Sequence, residues 1–90
     1  MLYKVKLHRG VVKSLERLEP KVRERIKSAL RRLGDDPYIS RPGVDIARLA
    51  GTKGRQDLYR IRVGDYRAIY AIEDSVVYVT DLFHRGKGYD

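Results

Sequence analysis

Three runs of β-branched and aromatic residues fill the last third of the chain: Asp57 to Val63, Tyr66 to Ile72 and Val76 to Phe83. Gly64-Asp65 separates the first two, and Glu73-Asp74-Ser75 separates the last two. Both separators are hairpin-sized, so the segment is committed to an antiparallel meander. One face of that meander is apolar enough to lie on helices, which the residues before it have to supply.

The preceding residues have the pattern for doing so. Leu2 to Leu7 alternates polar and apolar positions and predicts a half-buried strand. His8, Arg9 and Gly10 break it. Val11, Val12, Leu15 and Leu18 then recur at helical spacing. Pro20 ends that helix or opens the next as a first-turn residue. Val22, Ile26, Ala29, Leu30 and Leu33 continue the spacing, and Gly34 fits a C-terminal cap. Residues 35–44 are turn-rich and read as a connecting loop. Ile46 to Leu49 fits a helical turn or a short edge strand. Gly51 to Gln56 reads as a basic loop. The fold class is α+β: an N-terminal strand, a helical hairpin, then a three-stranded antiparallel meander, with the helices packed on one face of the sheet. The 90 residues make a single domain, 1–90, and an apolar fraction of 42% is ordinary for a packed core.

Charge narrows the partner. Twenty Lys plus Arg against twelve Asp plus Glu leave a net charge of +8, which points to a polyanion such as nucleic acid or to an acidic protein. The surplus sits in residues 1–34, with eleven bases and three acids, whereas residues 57–90 hold five bases and six acids. The helical hairpin carries Lys21, Arg23, Arg25, Lys27, Arg31 and Arg32 on its polar side, a solvated face or one that docks on RNA. With no Cys there is neither a disulfide framework nor a thiolate metal site. Two His without a carboxylate cluster give no metal-ligand pattern, and no cofactor is expected. The apolar runs are far shorter than a membrane span, and Met1 leads into a charged stretch unlike a secretory signal. The expected location is the cytoplasm.

In a balanced last third, the arginines need a local explanation. If Gly64-Asp65 is a two-residue loop, Arg62 faces Arg67 and Arg60 faces Ile69, so Arg60, Arg62 and Arg67 share one sheet face. Directly opposed like charges are unfavourable by about 0.2–1 kcal/mol. Three guanidiniums on one face suit a phosphate or an acidic segment, or else their stems cover a solvated sheet face. A three-residue loop at Glu73 to Ser75 puts Asp81 opposite Arg67, with Phe83 and Arg85 on the arginine side. The tail His84-Arg85-Gly86-Lys87-Gly88-Tyr89-Asp90 is a frayed terminus or a stacking and phosphate-holding element.

The run Arg62-Val63-Gly64-Asp65-Tyr66-Arg67-Ala68-Ile69-Tyr70 resembles the core signature of RelE/ParE-type toxins of bacterial and archaeal toxin–antitoxin pairs. Leu49-Ala50-Gly51 resembles the family's L-x-G lead-in, the opening strand and VVKSLERL helix are similar, and so is the His84-Arg85 strand end. The resemblance covers essentially the whole chain. It implies a RelE-like fold and, on the RelE side, a ribosome-dependent, metal-independent endoribonuclease that cuts mRNA in the ribosomal A site. By matching position it implies Arg60, Arg62, Arg67, Arg85 and Tyr89 as catalytic residues, with Lys usual at the first two positions in the best-known branch. Lys53, Arg55, His84 and Lys87 are expected to contact substrate, and Tyr89 or His84 to be the candidate general base. The implied partners are an acidic or amphipathic RelB-like antitoxin, mRNA and ribosomal RNA. The alternatives are a ParE-like inhibitor of DNA gyrase, whose branch lacks the ribonuclease set, and a non-catalytic RNA-binding or antitoxin-paired member.

Overall fold

The computed structural model describes residues 2–49 and 57–86. Strand β1 (Lys4–Leu7) leads into helices α1 (Arg9–Glu16) and α2 (Pro20–Arg32). Strands β2 (Asp45–Leu49), β3 (Leu58–Val63), β4 (Tyr66–Glu73) and β5 (Val76–His84) follow. One five-stranded sheet results, in the order β1-β5-β4-β3-β2. The predicted α+β class holds, with two differences. Residues 45–49 form an edge strand antiparallel to β3, which decides between the two forms open for Ile46 to Leu49. The N-terminal strand lies parallel to β5, so the sheet is mixed.

The helices start and stop for local reasons. His8 does more than break β1: its Nδ1 accepts the Gly10 N–H at 3.0 Å and caps α1, which begins two residues earlier than the apolar spacing predicts. Pro20 takes the first turn of α2, where its missing N–H costs nothing. The helix does not end on a left-handed glycine at Gly34. Successive N–H groups of Leu33, Gly34 and Asp35 donate to Leu30, Arg31 and Arg32 in tightened turns. Gly34 instead lends its carbonyl to the Tyr3 N–H at 2.9 Å, which ties β1 to the helix end.

Both helices lie on one face of the sheet. Val11, Leu15, Ile26, Ala29, Leu30 and Leu33 pack in one cluster with Ile61, Ala68, Tyr70, Val77 and Val79. Tyr70 is fully buried, and its hydroxyl donates to the Pro37 carbonyl at 2.7 Å, fastening the 33–44 loop to the sheet. Its ring stacks on Tyr59 at 5.7 Å, and Tyr59 meets Tyr38 edge-to-face at 5.6 Å. Burial pushes the Tyr70 hydroxyl well above the ordinary tyrosine range.

Two turns set the register of the meander. Gly64 has φ 59° and Val63 pairs with Tyr66, so the predicted two-residue hairpin is present. The second hairpin differs from the expected three-residue loop. Asp74 and Ser75 both have positive φ, at 52° and 64°, and Glu73 pairs with Val76 across a two-residue turn. A bulge then places Tyr70 opposite Val79 but Ile69 opposite Asp81, leaving Thr80 as the extra residue. The short turn alone reverses the facing of the end of β5, and the bulge restores it. Phe83 therefore shares the face of Arg67, as predicted, but lies directly opposite it in the place expected for Asp81.

Tyr70→Phe should lower stability by about 1–3 kcal/mol, because it strands the Pro37 carbonyl in the interior. Denaturant unfolding of both proteins measures the loss. Tyr70 has its pKa raised on folding, so its contribution is complete below the unfolded tyrosine value and fades as pH climbs past it. The gap between wild type and variant should therefore narrow above about pH 10.

Candidate functional site

The face of the sheet opposite the helices carries two cross-strand rows. Asp45, Arg62, Arg67 and Phe83 stand side by side on β2, β3, β4 and β5. Ala47, Arg60, Ile69 and Asp81 form the next row. Directly paired residues share a face, so Arg60, Arg62 and Arg67 project from one side, as predicted. Arg62 and Arg67 are the last pair but one before the Gly64–Asp65 turn. Arg85 follows β5 at that same end, exposed, and its backbone N–H donates to the Asp65 carbonyl at 2.7 Å.

The three strand arginines are not equivalent. Asp45 is shared between two of them: its Oδ1 lies 3.3 Å from Arg60 Nη1 and its Oδ2 lies 2.9 Å from Arg62 Nη2. Arg60 also donates to the Asp45 main-chain carbonyl at 3.3 Å, and its side chain is only 20% exposed. Arg62 and Asp45 are nearly half exposed. Ion pairs that open to water are worth about 0–1 kcal/mol. One carboxylate over two guanidiniums thus fixes their direction and leaves positive charge over.

Arg67 differs in kind. Its Nε is buried and has no hydrogen-bond partner. The carboxylate expected for it is engaged elsewhere: Asp81 stands opposite Ile69 and accepts the Thr80 hydroxyl at 3.0 Å. A stranded buried donor costs about 1–3 kcal/mol, so the fold tolerates Arg67 here at the expense of stability.

His84 is not brought to this group. It pairs with Tyr66 and therefore faces the helix side, with its ring edge-to-face against Tyr66 at 5.1 Å. Its Nδ1 accepts the Gly86 N–H at 3.2 Å. Lys53, Arg55, Lys87 and Tyr89 lie outside the described residues. Asp45 was not in the sequence-based set. Its signal was the five-residue stretch whose strand character stayed undecided, and only pairing with β3 puts its carboxylate between two arginines. Among the described residues no cluster of three His, Asp or Glu is placed to hold a metal, and no helix is long and apolar enough to cross a membrane.

Comparison with known proteins gives the family and the fold. A family model described as the ParE toxin of the type II toxin–antitoxin system parDE matches residues 5–89. A Methanocaldococcus jannaschii protein that carries the name toxin RelE1 is 30% identical over 99% of this chain and 97% of its own length. A chain of the archaeal RelE–RelB complex from Pyrococcus horikoshii superposes with a TM-score of 0.78 at 38% identity, covering 98% of this chain and all of that one. A chain of the RelB–RelE antitoxin–toxin complex from Methanococcus jannaschii gives 0.67 at 25% identity, covering 89% and 90%.

Asp45→Asn should free Arg60 and Arg62 without unfolding the sheet, changing stability by about 1 kcal/mol or less. The variant should elute from heparin at higher salt than wild type. Unchanged elution would mean that the shared carboxylate does not hold the two guanidiniums back.

Proposed function

Because the chain belongs to the RelE/ParE superfamily of type II toxins, we propose that it is the ribonuclease member of such a pair: a ribosome-dependent, metal-independent endoribonuclease acting on mRNA. The observation that carries this reading is the direct opposition of Arg62 and Arg67 on one sheet face, flanked by Arg60 and Arg85. Opposed like charges destabilise a sheet, so a bound polyanion gives the arrangement its purpose.

RNA carries its own nucleophile. The 2′-oxygen attacks the adjacent phosphorus, the bond from phosphorus to the 5′-oxygen breaks, and the products are a 2′,3′-cyclic phosphate and a 5′-hydroxyl. The proton leaves the 2′-hydroxyl for a base, and another reaches the departing 5′-oxygen. Cations aimed at the phosphate oxygens stabilise the charge that develops there. Arg67, opposite Arg62, and Arg85, exposed at the open end of β5, take that role. Arg62 and Arg60 orient the phosphate, and Asp45 holds them in register.

Arginine stays protonated at any working pH and cannot be the base. His84 faces the helix side of the sheet, and its contacts fit a positioning role: Tyr66 on its ring and Gly86 on its Nδ1 hold the chain on either side of Arg85. Tyr89 is then the candidate base supplied by this chain. Lys53, Arg55 and Lys87 are assigned to the flanking phosphates. The ribosome orients the message, which places the protein in the cytoplasm. The partner is a RelB-like antitoxin that covers the arginine face, in keeping with the two archaeal relatives, whose structures are complexes with RelB.

Induced expression should arrest growth and leave messages with new ends, mapped by primer extension. Arg67→Ala and Arg85→Ala should each slow cutting by about 10²–10³-fold with the fold intact by circular dichroism. The family model that matches carries the ParE name, so gyrase inhibition is the competing reading. Toxicity with whole messages and broken DNA would move the assignment there. RNA bound but uncut in the presence of ribosomes would leave only a binding module.

A further inference from the structure

A second basic surface adjoins the sheet face, between α2 and the β2–β3 side of the sheet, and shares Asp45 and Arg62 with it. It is a cleft of about 570 Å³ whose walls include Arg25, Ser28, Arg32, Ser40, Arg41 and Arg62. Its carboxylate, Asp45, is already held by Arg60 and Arg62. Arg25, Ser28 and Arg32 recur at three and four residues, so α2 presents them along one flank.

The arginines of the cleft divide into structural and available ones. Arg41 is consumed by the main chain, donating to the carbonyls of Asp36, Ile39 and Arg32 at 3.0, 2.7 and 3.0 Å. Arg25 and Arg32 make neither an ion pair nor a side-chain hydrogen bond among the described residues. Both guanidiniums instead lie close over glycine backbone. A Cβ on Gly64 would stand 3.0 Å from Arg25 Nη1, and one on Gly43 would stand 2.8 Å from Arg32 Nη1. Both glycines have positive φ, at 59° and 81°, a backbone conformation that other residues rarely adopt, and the lack of a side chain there leaves the two guanidiniums room to settle. The fold thus gives two guanidiniums seats beside the main chain with their donors uncommitted.

We propose that this cleft is a phosphate track for a single RNA strand, with Arg25 and Arg32 each taking one phosphate and Arg62 joining the track to the arginine face. It rests on the proposed function only in taking RNA as the ligand. The size suits one or two nucleotides and not a duplex. Among the described residues, the exposed large apolar side chains, Leu2, Val12, Tyr38, Ile39 and Tyr78, all lie outside the lining. A protein segment binds through buried aromatic or aliphatic anchors, and of the cleft's apolar lining Ala29 and Val44 are already buried in the core, leaving only the part-exposed Val63 to meet one. Without an aromatic wall for a base to stack on, the contact is to the backbone and indifferent to sequence. Guanidinium forks match phosphate oxygens.

The test uses the full chain and a short 2′-O-methyl RNA, which lacks the nucleophile and reports binding apart from cutting. Fluorescence anisotropy across a salt series should show the Arg25→Gln/Arg32→Gln variant binding about tenfold or more weakly, with a salt slope smaller by about 1.4, two phosphates' worth for a single strand. Lys4→Gln/Lys13→Gln removes the same charge elsewhere and should keep most of the affinity. An Arg25/Arg32 variant that binds like wild type, or no worse than the Lys4/Lys13 variant, would overturn the proposal. So would equal or tighter binding of a glutamate-rich peptide that the same variant loses, which assigns the cleft to an acidic protein segment. Cutting of natural message is scored separately. Binding lost in the variant while wild type cuts nothing would keep the track and remove the nuclease reading.

Discussion

The opposition of Arg62 and Arg67 across the β3–β4 hairpin is the constraint on which the rest of the site depends. It exists because Gly64 adopts φ 59° and closes the hairpin in two residues. A one-residue change there would send Arg67 to the helix side and expose Tyr66, Ala68 and Tyr70, so core and site are fixed by the same turn. The apolar alternation of β4 enforces the register from below, through Ala68 and Tyr70 in the core. The site is therefore rigid for the reason the protein is folded. Asp45 then settles the repulsion on one side only, holding Arg60 and Arg62 while Arg67 keeps a buried donor unmatched.

The sequence carried this hairpin clearly because a Gly-Asp pair between two alternating runs has essentially one solution. The second hairpin was less legible. Three polar residues, Glu73 to Ser75, allow several loop lengths, and the actual turn uses two of them in left-handed conformations that L-residues other than Asn, Asp and Gly rarely take. Nothing local announces the bulge at Thr80, whose flanks, Val79 and Asp81, read as ordinary strand. The two features offset each other, which is why the facing of Phe83 came out right while its partner did not. The pairing of β1 with β5 and the strand character of Asp45–Leu49 are non-local. A short apolar segment takes its state from the neighbour it finds, and the neighbour lies elsewhere in the chain. Asp45 was invisible for the same reason.

The charge arithmetic takes on a shape in three dimensions. In the sequence, Lys21, Arg23, Arg25, Lys27, Arg31 and Arg32 read as one basic outer side of the helical hairpin. The fold sorts them: Arg25 and Arg32 turn into the cleft beside β2 and β3, where Arg62 meets them from the balanced C-terminal third. Arg62 thereby belongs to both surfaces. Arginines thus run from the flank of α2 to the arginine face, an arrangement that, on the proposed reading, leads a polyanion gripped at one end towards the other.

On the nuclease reading, chemistry built from guanidiniums has a characteristic weakness and a matching advantage. Arginine supplies charge and orientation but not proton transfer at neutral pH, so a site made of Arg60, Arg62, Arg67 and Arg85 stabilises a transition state without activating the nucleophile. A free chain of this kind cuts RNA slowly, and a surrounding assembly that pre-aligns the 2′-oxygen with phosphorus contributes what the side chains do not, since alignment is worth several powers of ten in rate. The proposed dependence on the ribosome fits these residue types, with Tyr89 left as the one candidate base. The same property makes the toxin easy to silence, because covering a few exposed guanidiniums with carboxylates removes the whole of its contribution, and Asp45 already does this in part from within the chain.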